Sequence, residues 1–301
     1  MRTSNLTLAL ALLAFCAAPV AAQESPTLKK IKDTGTITIG HRDSSIPFSY
    51  YDDKQNVVGY ALEICLKVVD AIKTELKMPN LQVKLNPVTS ATRIPLIANG
   101  TIDLECGSTT NNVERQNQVA FTNTYFLTAN RFVSKKANNL KTIADLKGKT
   151  VVSTSGTTNL KQITEMNGAQ NMGMSILTAK DHAEAFLMVE TDRANAFFMD
   201  DILLYSLRAE SGAPQDYEVS GKLLSIEPLS LMLRNDDPAF KRIVDLEITR
   251  VIMDGEIHAL YKRWFQSPIP PKGVNLNVPE SDALKKAFAN PTDSGDPAKY
   301  K

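Results

Sequence analysis

Several residues in this 301-residue chain combine a reactive type with a telling position. Gly156-Thr157-Thr158 stands between a β-branched run and a helical stretch, and free N–H groups at a helix start bind anions. Asp200-Asp201 follows the apolar run Ala-Phe-Phe-Met, which places a carboxylate at the carboxyl end of a buried strand, where open α/β sheets bind small ligands. Arg42 closes the alternating segment at residues 35–42. Each has a plainer reading. An isolated arginine such as Arg42 or Arg93 is usually solvated, and Arg115 beside Glu114 fits an exposed ion pair. Thr157, Thr158, His182, Asp200 and Asp201 all suit a helix start. The three histidines, His41, His182 and His258, form no nucleophile–base pair with a neighbour in sequence, so general acid–base catalysis has no evident machinery. No CxxC and no His/Cys cluster is present, so neither zinc nor another cofactor is expected.

The N-terminus reads as a secretory signal over residues 1–22: Arg2, then the apolar run LTLALALLAFCAAPVAA, ending in the small residues Val20-Ala21-Ala22. Cleavage after Ala22 leaves Gln23 first. The run is short for a membrane span, and Phe15 argues against lipidation at Cys16. Loss of Arg2 brings Lys plus Arg from 34 to 33, against 33 Asp plus Glu, so the mature chain is neutral. That balance argues against nucleic acid or an anionic membrane face as a partner. Two cysteines then remain, Cys65 and Cys106. In an oxidising compartment they could form one bridge; two separate buried thiols are the other reading.

The elements that must position these residues alternate. Strand patterns at 35–42, 81–88 and 102–106 are interleaved with helical patterns at 60–77 and 92–98, the latter stopping at Asn99-Gly100. Residues 49–60 read as a hairpin. The second half repeats the style, with strands at 149–153, 174–177 and 194–199 and helices after Gly156, at 183–190 and at 202–210. Residues 223–233 read as one returning strand, 240–266 as one or two helices, and 281–288 as a short helix. This is an α/β pattern with mostly parallel sheets. It divides into two units, the second inserted in the first: lobe 1 over 28–127 and 229–288, lobe 2 over 128–228, and a flexible tail over 289–301. The chain crosses between lobes near 125–131 and 224–230, and a cleft between lobes suits a small ligand.

The segments GHRDSSIPFSYYDDKQNVVGY, SATRIPLIANGTIDLECGSTTNNVERQNQVAFTNTYF, DLKGKTVVSTSGTTNL, AKDHAEAF and RANAFFMDDILL together resemble the periplasmic glutamate/aspartate-binding proteins of ABC importers, within family 3 of the solute-binding proteins. The likeness runs from about Leu28 to Phe288. It implies a type II periplasmic-binding-protein fold, two lobes closing on the ligand like a flytrap, and a monomer in the periplasm that passes L-glutamate or L-aspartate to a membrane permease. It also implies roles. Arg115 grips the ligand α-carboxylate; Ser108 and Thr110 touch the α-carboxylate and α-ammonium; Thr158 adds a carboxylate contact from the other lobe; Asp200 meets the ammonium. Arg42, Ser90, Arg93 and His182 meet the side-chain carboxylate. In such relatives the cysteine of ECGSTT pairs with one just before the MLR segment. Here that position is Leu231, which leaves Cys65 as the mature partner of Cys106.

The implied set is chemically consistent. An acidic amino acid brings two carboxylates and one ammonium, and arginine's planar fork holds a carboxylate bidentately. Three arginines against Asp200 leave excess positive charge in an empty cleft, which predicts an open, wet ligand-free state. A basic ligand would call for carboxylates where Arg42 and Arg93 stand, and glutamine for fewer arginines. Binding of another polar amino acid and a periplasmic dehydratase on the same fold are the alternative readings, since fold does not fix function.

Overall fold

The computed structural model describes residues 25–301, so the signal segment expected at residues 1–22 lies outside the described residues. Among the described residues no helix is long and apolar enough to cross a membrane. Two five-stranded sheets organise the chain. In the first, Gln82–Pro87, Thr36–His41 and Leu104–Glu105 run parallel, and Met232–Leu233 and then Ala120–Phe121 continue the sheet, Met232–Leu233 being antiparallel to both neighbours. In the second, Ser175–Ala179, Thr150–Thr154 and Ala196–Asp200 run parallel, and Asn130–Lys135 and Tyr217–Ser220 complete it antiparallel. Phe126–Thr128 and Glu227–Leu229 pair as a two-stranded ribbon that carries the chain from one sheet to the other and back.

The helices follow the apolar periodicity. Tyr60–Glu75 buries Leu62, Cys65, Val69 and Ile72, packing chiefly against the Pro238–Met253 helix, while Leu66 is 40% exposed. The Pro238–Met253 and Glu256–Phe265 helices divide at Gly255, whose φ of 79° is the left-handed conformation that ends one helix and lets the next begin. Beneath the ribbon lies an aromatic cluster: Phe126 stacks on Phe265 at 4.8 Å, Tyr261 on Phe265 at 4.4 Å, and Phe48 meets Phe126 edge-on at 5.1 Å. Such pairs contribute about 0.5–1.5 kcal/mol each beyond their burial. The Tyr60 hydroxyl donates to the Tyr125 carbonyl at 3.1 Å, which fixes the base of the outgoing hinge strand to this core.

Two expectations are corrected. Residues 223–233 are not one strand. Glu227–Leu229 pairs with the hinge strand, and after Ser230-Leu231 the chain joins the first sheet as Met232–Leu233, because the two stretches serve different partners. Residues 289–301 are not a loose tail. They end in a 3₁₀ turn, Pro297–Tyr300, and bury Tyr300, whose hydroxyl lies 2.7 Å from Thr124 Oγ1.

Cys65 and Cys106 form a disulfide, with Cα atoms 6.2 Å apart. Leu231 is fully buried in the same apolar cluster. The bridge closes a loop across a separation of 41 residues. The double substitution Cys65→Ser/Cys106→Ser is expected to lower unfolding free energy by about 4 kcal/mol, the chain-entropy limit. Urea denaturation of the oxidised parent and the variant measures it. Equal midpoints would show that the bridge adds nothing.

Candidate functional site

Every predicted site residue lies at or just beyond the carboxyl end of a strand. Arg42 follows Thr36–His41; Ser90 and Arg93 follow Gln82–Pro87; Ser108, Thr110 and Arg115 follow Leu104–Glu105. From the second sheet, Thr158 follows Thr150–Thr154, His182 follows Ser175–Ala179, and Asp200 ends Ala196–Asp200. The two sheets turn these ends toward each other. Ser90, Arg93, Ser108, Thr110, Thr158, His182 and Asp200 line one small cavity of about 10 Å³, with Asn159 and Met199 among the other walls. That is roughly the room of a single water, so the two walls stand nearly in contact. Arg42 borders an adjoining recess between the lobes, lined also by Thr89, Thr92, Lys180 and Asp181. Arg115 sits beside the cavity, bonded to its lining residue Thr110.

The lobes meet tightly around this space. Arg115 Nη1 donates to the Thr110 carbonyl at 2.8 Å in its own lobe, and Nη2 to the Gly156 carbonyl at 3.2 Å in the other. The Thr158 and Thr110 hydroxyls stand 3.5 Å apart across the cleft. Gly156 has φ +76°, and a Cβ there would lie 2.5 Å from Ala91 Cα, so only glycine lets the lobes close this far. Glu114 does not pair with Arg115. It forms an ion pair across the cleft with Lys161, which leaves Arg115 turned inward.

Burial exposes the electrostatic problem. Arg42 and Arg93 are each 2% exposed and Arg115 7%. Burial pulls the pKa of Arg42 down to about 10 and that of Arg115 to about 9, with the charge of Arg93 adding in each case. The sequence reading counted only Asp200 against them. The structure adds two carboxylates. Glu105, fully buried, faces Arg42 and Arg93, and its Oε2 accepts from Thr109 Oγ1 at 2.5 Å, which in turn accepts from Arg93 Nη1 at 2.6 Å. Glu227, on the returning hinge strand, faces Arg115 and the hydroxyls of Thr110 and Thr158. Its Oε1 lies 3.3 Å from Asn130 Nδ2, and Asn159 Nδ2 donates both to Asn130 Oδ1 and, at 2.8 Å, to Asp200 Oδ1. The count of one carboxylate against three arginines is therefore amended: buried Glu105 and Asp200 and half-buried Glu227 all stand among the three buried guanidiniums.

His182 adds no charge. Burial first, then Arg42 and Arg93, hold its pKa well below the ordinary value, so the ring is neutral. Asp181, not His182, caps the helix that follows. Thr154 Oγ1 lies 2.8 Å from His182 Nδ1; with that hydroxyl donating, Nε2 carries the proton as a donor. Asp200 and Asp201 separate by geometry. Asp200 lines the cavity, while Asp201 Oδ1 accepts from Thr128 Oγ1 at 2.7 Å and from Ile202 N at 2.8 Å, which ties the helix start to the hinge strand. Burial, then Glu227, raises the Asp200 pKa to about 7. Thr157 is the N-cap of Thr158–Ala169, accepting from Leu160 N, which leaves the Thr158 hydroxyl to face the cleft.

Sequence reasoning missed Glu105, Thr109, Asn130, Asn159 and Glu227. The alternation Asp103–Leu104–Glu105–Cys106 looks like a half-solvated strand, and nothing local marks Glu105 as buried between arginines. What the arrangement offers is unmet hydrogen-bonding capacity. Arg42 Nη1, Ser90 Oγ, Arg93 Nε, Ser108 Oγ and His182 Nε2 are buried without a hydrogen-bond partner, and buried polar groups are costly until satisfied. Donors from both sheets and the Asp200 carboxylate from the second thus converge on a small closed space.

Two sheets joined by a hinge ribbon, with a polar cavity between their strand ends, define a two-lobed solute-binding protein. The chain belongs to the bacterial extracellular solute-binding proteins, family 3, whose sequence profile matches residues 37–267. It is 53% identical to an L-glutamate/L-aspartate-binding protein of Pseudomonas aeruginosa, over 93% of both chains. It is 49% identical to a glutamate/aspartate import solute-binding protein of Escherichia coli K12, over 92% of this chain and 91% of that one. Among solved structures, a mutant ArgBP from T. maritima superposes with a TM-score of 0.71 at 23% identity, over 80% of this chain and 99% of that one.

Glu105→Gln is expected to destabilise the ligand-free protein by about 3 kcal/mol, because it leaves Arg42 and Arg93 buried without their counter-charge. Urea unfolding measures the loss; a change below ~0.5 kcal/mol would show that Glu105 does not hold these arginines.

Proposed function

We propose that this chain captures L-glutamate or L-aspartate in the periplasm and delivers it to the membrane permease of an ABC importer, by closure of two lobes around the ligand. One observation carries the reading: buried, unpartnered donors on arginine, serine and histidine converge on a small space between the lobes that is also lined by Asp200. A ligand with two carboxylates and one ammonium meets both kinds of group. The relatives that share about half of the sequence carry glutamate and aspartate in their names, which supports the same ligand class here. The signal expected over residues 1–22 supports export, and a monomer is the working assembly. The protein acts as a carrier: binding and release, not bond making, are its chemistry.

In this mechanism the open protein first offers Arg115, Ser108 and Thr110 to the α-carboxylate and α-amino group. Arg42, Ser90 and Arg93 take the side-chain carboxylate. Rotation of the second lobe then brings Thr158, His182 and Asp200 onto the ligand, with Gly156 seated against Ala91. The ligand supplies partners that the protein's own groups lack, so it favours the closed form by differential contact.

Calorimetric titration of the refolded mature protein with glutamate, aspartate, glutamine and arginine tests the assignment. Tight binding of the two acidic amino acids alone is expected, and no binding of either would overturn it. Arg115→Ala should abolish measurable binding. Arg93→Ala should weaken glutamate more than glutamine; equal losses would contradict contact between Arg93 and the side-chain carboxylate.

Protonation gives a second test. The raised Asp200 pKa of about 7, against an ordinary value of 3.8, means that the folded state holds the proton more firmly than the unfolded one. Asp200 therefore adds stability as pH falls from about 7 toward 3.8. A ligand ammonium favours the carboxylate form and expels that proton. Titrations at pH 6 in two buffers of different ionisation enthalpy should reveal proton release that fades by pH 8 and vanishes in Asp200→Asn. Buffer-independent heats at pH 6 would contradict the ammonium role of Asp200.

A further inference from the structure

Resting on the binding function proposed above, we propose that residues 290–301 are a strap that positions Arg115 and ties its loop to the hinge. The segment leaves the Asp282–Ala289 helix and runs across the first lobe to the loop that carries Arg115. There the Asp293 carbonyl accepts from Asn111 Nδ2 at 2.8 Å and from Gln116 Nε2 at 2.9 Å, and the two side chains bond to each other at 2.9 Å. Asn111 and Gln116 flank the turn in which Asn112 caps Val113–Gln116 and Arg115 points into the cleft. The Asp293 carboxylate is itself held, by Lys241 Nζ at 2.8 Å. Gly295 is pressed on the same turn: a Cβ there would lie 2.7 Å from the Asn112 carbonyl carbon and 2.8 Å from Val113 N.

The other end of the segment reaches the hinge. Thr124 N donates to the Thr292 carbonyl at 3.0 Å. The Tyr300 hydroxyl donates to the Ser294 carbonyl at 2.8 Å and accepts from Thr124 Oγ1, which also lies 3.4 Å from Ser230 Oγ. Thr124 and Ser230 stand at the bases of the two hinge strands, and the Pro297–Tyr300 turn packs against the returning strand Glu227–Leu229. Asn111 N in turn bonds the Pro228 carbonyl of that strand at 2.8 Å. The strap, the Arg115 turn and the hinge base thus form one closed ring of hydrogen bonds. None of the strap residues lines the ligand cavity, so they act as positioning residues. The ring holds the Arg115 guanidinium at one place relative to the hinge before the ligand arrives, and it removes a freedom that binding would otherwise have to freeze.

The test uses the mature chain, a chain ending at Asn290, and the variants Gly295→Ala and Tyr300→Phe. Glutamate titration is paired with hydrogen exchange of the ligand-free proteins. Truncation and Gly295→Ala are each expected to raise the glutamate Kd about tenfold, and Tyr300→Phe about threefold. The amides of residues 111–119 and 229–231 should exchange faster in the first two, while those of strands Thr36–His41 and Thr150–Thr154 stay unchanged. Kd values within about twofold of the parent, or exchange that accelerates across both sheets alike, would overturn the strap's positioning role. Should the truncated chain fail to fold, Gly295→Ala and Tyr300→Phe decide the matter. If the parent binds neither glutamate nor aspartate, the functional reading falls, and the strap is judged by exchange at residues 111–119 alone.

Discussion

The structure depends on keeping three guanidiniums buried around one small cavity. A buried charge with no counterpart is among the most costly features a fold can carry. Here Glu105 lies among Arg42 and Arg93 from the floor of the first lobe, Glu227 faces Arg115 from the hinge, and Asp200 faces them from the second lobe. Carboxyl groups of the protein itself thus stand against all three guanidiniums. What stays unbalanced is finer: single donor atoms on Arg42, Arg93, Ser90, Ser108 and His182 lack partners. A site built this way tolerates closure without collapsing on itself, and it still rewards a ligand that brings acceptors for those donors.

The placement of these groups follows from topology. Parallel strands put their carboxyl ends on one edge of each sheet, and the loops beyond those ends carry the polar residues. Two such edges facing across a ribbon of only two short strands make a cleft between two separate walls. The contact of Gly156 with Ala91 and the shared bonding of Arg115 to both lobes set how closely the walls meet. The ribbon is more than a tether. Glu227 lies on it, Asp201 grips its partner strand through Thr128, and the chain's last residues pack beneath it. Events at the cavity and at the hinge therefore share residues.

Much of the fold was legible. The alternation of strand and helix signals, Asn99-Gly100, and the β-branched run before Gly156 placed most elements within a residue or two, because burial of one face imposes a period that sequence displays. The breaks were legible only in part. Residues 223–233 have one continuous strand pattern, yet they serve two sheets, since a strand's period does not say which neighbour it pairs with. The polar, proline-containing stretch at 289–301 reads as loose, but its backbone carbonyls find Asn111, Gln116 and Thr124. At the site, the nine residues that the family likeness singled out were placed at the cavity or against it. Their electrostatic partners were not visible. Glu105 alternates with buried residues as a solvent-facing strand residue would, and Glu227 sits in a stretch with no motif.

The sequence by itself determined the class: an α/β chain of two interleaved units, an ordered set of motifs, and charged residues at the ends of buried strands. These are local properties, written in periodicity and in residue type. The tertiary structure decided protonation, pairing and partnership. It made His182 neutral, raised Asp200, turned Arg115 away from Glu114, joined Cys65 to Cys106 and docked the C-terminal segment on the Arg115 turn. Each of those depends on which distant groups arrive within a few ångströms and on how little water remains between them, and neither quantity is carried by any single stretch of chain.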